Sequence, residues 1–111
     1  MVGGARQAAA TAELTTPVYF LPVAEAELWE ARQWYELRVA GYGDLFVAAV
    51  DSLVSRLSGD PEQFPIVHAN LRRGLLKRFP YALYFRIEAD GAYVVACAHT
   101  SRDPRRWQRR A

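Results

Sequence analysis

Apolar residues recur along this chain in two different periods, and the change of period lays out its elements. Residues 17–21 (Pro-Val-Tyr-Phe-Leu) form a short β-branched and aromatic run closed by Pro22, which predicts a strand. Pro22 suits the first turn of a helix, where its missing N–H costs nothing. Over 24–39, Leu28, Ala31, Tyr35 and Val39 return at steps of three and four, predicting an amphipathic helix ended by Gly41 and Gly43. Glu25, Glu27 and Glu30 sit in its first two turns, on the favourable side of the helix dipole. A second helix over 44–58 buries Phe46, Ala49, Val50, Leu53 and Leu57, with Asp44 as N-cap and Gly59-Asp60-Pro61 as its stop. The short link between the two helices makes them an antiparallel hairpin.

Residues 61–71 read as a loop carrying Pro61, Pro65 and His68. Three strand-like runs follow, at 73–79, 81–88 and 92–100. Pro80 separates the first two, and Ala89-Asp90-Gly91 turns the last pair into a hairpin. Simple alternation sets Leu83, Phe85 and Ile87 against Tyr84, Arg86 and Glu88. In the last run it sets Tyr93, Val95, Cys97 and His99 against Val94, Ala96, Ala98 and Thr100. The order β-α-α-β-β-β predicts an α+β fold, an antiparallel sheet with the helix hairpin packed on one face. Residues 1–14 are rich in alanine and glycine and carry no useful period. They read as a flexible leader, which leaves 15–111 as a single domain.

Composition narrows the chemistry. At 111 residues there is room for one ordinary domain. No apolar run approaches the roughly 20 residues of a membrane span. The single cysteine, Cys97, excludes an intrachain disulfide and a cysteine-based zinc site, and a reducing cytoplasm is the expected compartment. His68 and His99 are the only histidines, no H-E-x-x-H or Gly-rich phosphate loop exists, and no metal or cofactor is expected. Cys97 and His99 share a strand face but point in parallel, so Cys97 reads as a packed core residue rather than a nucleophile. His99, followed by Arg102, is either a general acid/base or a strand-end imidazole bonded to backbone, the second being the commoner arrangement.

Charge is distributed unevenly. Residues 1–66 hold four basic and nine acidic side chains, net −5, whereas 67–111 hold ten basic and three acidic, net +7. The C-terminal half therefore expects an anionic partner. Its cations are Arg72, Arg73, Lys77, Arg78, Arg86, Arg102, Arg105, Arg106, Arg109 and Arg110, interleaved with Tyr81, Tyr84 and Trp107. Basic side chains among aromatics are the pattern of nucleic-acid contact. A solvated sheet face paired with acidic helices, or with an acidic peptide, accounts for the same pattern equally well.

Several segments in order resemble the RelE/ParE superfamily of type II toxin–antitoxin toxins, nearest to its ParE (plasmid stabilisation) branch. They are Leu21-Pro22 opening a helix that carries Glu27-Leu28-Trp29-Glu30-Ala31 and Trp34-Tyr35-Glu36; Asp60-Pro61-Glu62-Gln63-Phe64-Pro65; Leu71 through Tyr81; Tyr84-Phe85-Arg86-Ile87-Glu88; and His99-Thr100-Ser101-Arg102-Asp103-Pro104-Arg105-Arg106-Trp107. The resemblance spans Pro17 to Trp107 and leaves out the leader.

It implies a toxin that arrests growth by inhibiting DNA gyrase without chemistry of its own. It also implies neutralisation by a cognate acidic antitoxin that folds on binding, in a hetero-oligomer. The RelE-like branch implies the alternative, a ribosome-dependent mRNA endoribonuclease. Such nucleases carry a basic residue just after the aromatic that opens the third strand. Here that place is Ala82, beside Tyr81. Arg86 lies four positions on, about 13 Å along a strand. Nor does the tail end in a suitable phenol, since Trp107 has no phenolic proton to give. A non-toxic binding module that keeps only the fold is a third reading. Under the ParE-like reading, Arg86, His99, Arg102, Arg105, Arg106 and Trp107 are expected to meet the target. Trp29, Trp34, Tyr35, Arg72, Arg73, Lys77 and Arg78 are expected to meet the antitoxin. Truncation after Asp103 is then expected to spare the fold.

Overall fold

The helix hairpin forms where the apolar period places it, with ends set by local backbone chemistry. The structure is a computed structural model and describes residues 15–111, so the proposed leader lies outside the described residues. After strand β1 (Val18–Phe20), helix α1 (Pro22–Arg38) starts at its proline, two residues earlier than the periodicity alone suggests. It buries Ala24, Leu28 and Ala31. Val39 was expected on the buried stripe but is half exposed, because the backbone leaves the helix there with φ −143°.

Helix α2 (Tyr42–Gly59) buries Phe46, Val50, Leu53, Val54 and Leu57. Asp44 is not its N-cap. Gly41 occupies that place with φ +91°, a left-handed backbone that glycine adopts without penalty. Capping comes from the other helix instead: Glu36 accepts the N–H of Gly41 (3.0 Å) and of Gly43 (2.9 Å). Asp44 is thereby free to accept from Arg32 across the hairpin at 2.9 Å.

The C-terminal half forms more structure than its sequence suggests. A 3₁₀ turn (Pro61–Gln63) and a short strand β2 (Ile66–His68) replace the expected loop. Strand β3 (Leu71–Leu75) pairs with β2, earlier than the expected 73–79. It stops because residues 76–80 turn, with Arg78 at φ +71°, and Leu76 N–H bonds back to the Tyr81 carbonyl at 2.9 Å. Strands β4 (Tyr81–Glu88) and β5 (Gly91–His99) complete a five-stranded sheet of order β1-β5-β4-β3-β2. Four strands run as an antiparallel meander, and β1 joins β5 in parallel, so the sheet is mixed rather than wholly antiparallel.

A bulge changes which residues of β5 face the helices. Tyr84 lies opposite Ala96 while Phe85 lies opposite Val94, so one extra residue is inserted in β5. Strict alternation therefore fails. Val94 and Cys97 both join Leu83, Phe85 and the helix hairpin in the main core. Val95 and Ala96 both turn to the other face, where they meet Leu71, Ala82, Tyr84 and Trp107 in a second apolar layer. That layer is closed by the tail. Asp103 and Pro104 open a single-turn helix α3 (Arg105–Gln108), and Trp107 stacks on Tyr84 with ring centroids 3.9 Å apart.

Candidate functional site

Strand β5 is nine residues long, but β1 covers only its first part, pairing with residues 92–94. Among the described residues no strand neighbours its outer edge beyond Val94, and side chains take a strand's place there. Glu27 on α1 accepts the Cys97 N–H at 3.0 Å. Arg110 donates to the Val95 carbonyl at 3.0 Å and holds both Glu27 oxygens, at 2.9 and 3.0 Å. Such cover protects an open sheet edge from unwanted pairing.

Past this clamp lies a groove of about 570 Å³ between α1, the start of β4, the end of β5 and the tail. Ala31, Trp34, Tyr35, Pro80 and Tyr81 form its apolar wall. Glu27, Glu30, His99, Ser101, Arg102 and Arg106 supply its polar groups. The aromatic wall is rigid: Tyr35 stacks on Phe46 at 5.4 Å, while Trp34 and Phe79 meet it edge-on. Burial raises the Tyr35 phenol above its ordinary pKa. Tyr81 is raised too, first by burial and then by Tyr35 and Cys97, against the pull of Arg102. Both therefore stay neutral phenols at physiological pH.

Cys97 offers the groove no ready nucleophile. Cys97 is 3% exposed, and burial, with Glu27 adding to it, pushes its thiol up to about 12. The reactive species of cysteine is the thiolate. Native protein at pH 8 is therefore expected to resist alkylation by iodoacetamide and to be labelled only on unfolding. Fast labelling of the folded protein contradicts this burial. His99 is held by its own turn, with the Ser101 N–H donating to Nδ1 at 3.0 Å. That donor places the proton of the neutral ring on Nε2. Among the described residues no group of three or more His, Cys, Asp and Glu side chains is placed to hold a metal ion. No helix there is long and apolar enough to cross a membrane.

The residues expected to meet the target are scattered. His99, Arg102 and Arg106 do converge on the groove. Arg102 and Arg106 are exposed and have no ion-pair partner among the described residues. Arg105 instead grips Asp103 at 2.8 Å, which holds that carboxyl below its ordinary pKa. Arg86 pairs with Glu88 at 2.6 Å. Trp107 is 6% exposed, its large ring already spent on Tyr84 inside the chain. The segment from His99 to Trp107 is thus in large part a folding signal: a histidine-anchored turn, an Asp-Pro helix start and an aromatic anchor.

The residues expected to meet the antitoxin also divide. Trp29 and Trp34 are nearly half exposed, and Arg38 lies over the Trp34 ring at 3.6 Å. Trp34 and Tyr35 belong to the same groove as His99, Arg102 and Arg106, so members of two expected surfaces share one site. Arg72 and Arg73 point to opposite sides of the sheet. Arg72, opposite Phe85, donates to the carbonyls of Glu62 and Phe64 at 3.2 and 2.8 Å. Arg73 lies opposite Tyr84, whose phenol burial raises above its ordinary pKa against the pull of that guanidinium. They do not combine into one concave basic face. Lys77 and Arg78 are exposed in the turn before β4. The pairing of Glu27 with Arg110 could not be read in the sequence, because it spans 83 positions and nothing local to either residue points to the other.

No protein-family profile matches this sequence, and none of the curated proteins is similar to it. A solved structure described as the chromosomal ParDE TA system from P. aeruginosa contains a chain of similar fold. The two superpose with a TM-score of 0.65 over 72% of this chain and 90% of that one, at 18% sequence identity. An identity this low speaks to fold, and the fold agrees in kind with the one expected from the motifs. The chain has a ParE-like fold, with its helix hairpin on one face of the sheet and a tail layer on the other.

Proposed function

We propose that this chain is the toxin of a type II toxin–antitoxin pair, kept inactive by an acidic antitoxin and acting on DNA gyrase in the cytoplasm. The observation that carries the reading is the fold shared with nine-tenths of a chain from the ParDE system. The gyrase assignment rests on the ParE-like tail segment. It gains support from the place where a ribonuclease of this fold needs a cation. Ala82 stands there, fully buried in the layer beneath Trp107. A phosphorane-like transition state requires a preorganised positive charge at the reacting phosphate. Arg86 on that side is engaged with Glu88, and Arg73 stands opposite Tyr84 rather than Ala82. Arg102 and Arg106 remain as candidates for target contact, and Trp29 and Trp34 for antitoxin contact.

Induction in a bacterium is expected to arrest growth, and co-expression of the protein encoded next door is expected to relieve it. Purified protein should inhibit supercoiling by gyrase, and Arg102→Glu with Arg106→Glu should abolish that inhibition while the protein stays folded. Cuts in ribosome-bound mRNA with gyrase unaffected sink the gyrase assignment and favour the ribonuclease. Growth that continues unchanged sinks the toxin reading itself and leaves a binding module.

A further inference from the structure

We propose that the groove beside the uncovered part of β5 receives one short extended stretch of an acidic peptide, which pairs with the sheet edge at Cys97 and His99. The peptide is assigned to the antitoxin, so the inference rests on the toxin reading above and adds how that partner is held. In an antiparallel pair, residues exchange both backbone bonds with their opposite number or face away together. Cys97 sits opposite Leu83 but gives its N–H to Glu27, so its carbonyl also faces outward. Two residues on, His99 has the same phase. Its opposite number, Tyr81, donates to Phe79 and accepts from Leu76 instead. Just beyond both strands the same phase continues, the Thr100 N–H reaching the Pro80 carbonyl at 2.9 Å.

The outer edge of β5 is thus closed at both ends and open in the middle. Glu27 and Arg110 occupy Val95 and the Cys97 N–H, and Arg102 N–H takes the His99 carbonyl at 2.9 Å. The Cys97 carbonyl and His99 N–H remain without a partner among the described residues, and both belong to residues that line the groove. A single residue on a strand parallel to β5, in line with β1, would donate to the first and accept from the second. The site reads one residue of backbone and its flanks, not a long ladder.

The groove also states the side chains it fits. Trp34, Tyr35 and Tyr81 offer an apolar wall to one flank. Arg102 and Arg106, without acidic partners among the described residues, offer two cations to a carboxylate on the other. Glu30 makes the groove unwelcoming to a uniformly acidic segment, so the acid is confined to the tail side. A peptide seated here covers the two arginines proposed to meet the target, and neutralisation follows from masking.

Hydrogen exchange on the complex with the neighbour-encoded protein tests this directly. The His99 amide should exchange at least about 10-fold more slowly in the complex than in the free chain, while Thr100 changes little. Arg102→Glu with Arg106→Glu should weaken binding by at least about 10-fold, about 1.4 kcal/mol or more, with a steeper loss at low salt. If the complex forms but His99 exchange is unchanged, the inference is overturned and the toxin reading stands. If no complex forms, both fall. If the His99 amide of the free chain is already protected, and deleting residues 1–14 exposes it, this chain's own N-terminal segment fills the groove and the inference is overturned.

Discussion

Trp107→Ala is expected to cost about 3–5 kcal/mol of folding stability, the range for removing a buried tryptophan. The side chain is almost wholly buried and stacked on Tyr84, and it closes a layer containing Leu71, Ala82, Val95 and Ala96. Its loss opens a cavity on one face of a sheet whose other face is already committed to the helices. A domain of this size has only about 5–15 kcal/mol in total, so the variant should melt well below the parent. Truncation after Asp103 removes Trp107 and Arg110 together and should be at least as damaging, contrary to the expectation that the tail can be cut without harm to the fold. Trp34→Ala is the control, an exposed ring whose removal should cost less than about 1 kcal/mol. Urea or thermal denaturation measures all three. Equal midpoints for Trp107→Ala and the parent contradict the stacked layer. Any toxicity assay on tail variants has to be accompanied by such a melt, since loss of activity and loss of fold otherwise look alike. The Arg102 and Arg106 pair avoids this confusion, whereas Arg105→Glu also breaks the clamp on Asp103.

Glu27→Leu is expected to destabilise by about 2–4 kcal/mol. Two groups are left without their partner, the Arg110 guanidinium and the Cys97 N–H. Breaking a fully buried pair costs about 3–5 kcal/mol. About a fifth of each side chain is exposed here, which lets water recover part of that loss. The Glu27→Leu, Arg110→Leu double variant should then be less damaged than the two single losses added together, with a coupling of about 1 kcal/mol or more. Strict additivity indicates that the pair contributes little beyond its own surface burial. The Cys97 amide provides a second readout, since it should exchange faster in Glu27→Leu than in the parent.

Legibility in the sequence followed the range of the interactions. Helix α1 and helix α2 were readable because an apolar stripe repeats within each segment, and Pro22 and the glycines near 41 mark their ends. Strands β4 and β5 were readable from composition and from the turn between them. Strand β2 was not, since its three residues are mostly exposed and have no period to detect. Asp44 looked like a cap because Asp commonly is one, yet Glu36 reached the orphan N–H groups first from the neighbouring helix.

The basic character of the C-terminal half and its RelE/ParE-like order of segments were properties of the sequence by itself. So was the lack of a cation at position 82. How those cations were divided was a matter for the tertiary structure. The bulge in β5 turned Val95 and Ala96 to the far face, the tail folded over them, and Trp107 became core. Arg110 was consumed by a carboxylate 83 positions away, and Arg72 by loop carbonyls, while Arg102 and Arg106 were left facing a groove. Nothing local distinguishes these arginines from one another. The fate of Arg72 depends on the loop beside its strand, and those of Arg102, Arg106 and Arg110 on which strand edge is left uncovered, which is decided by the lengths of β1 and β5 once they pair.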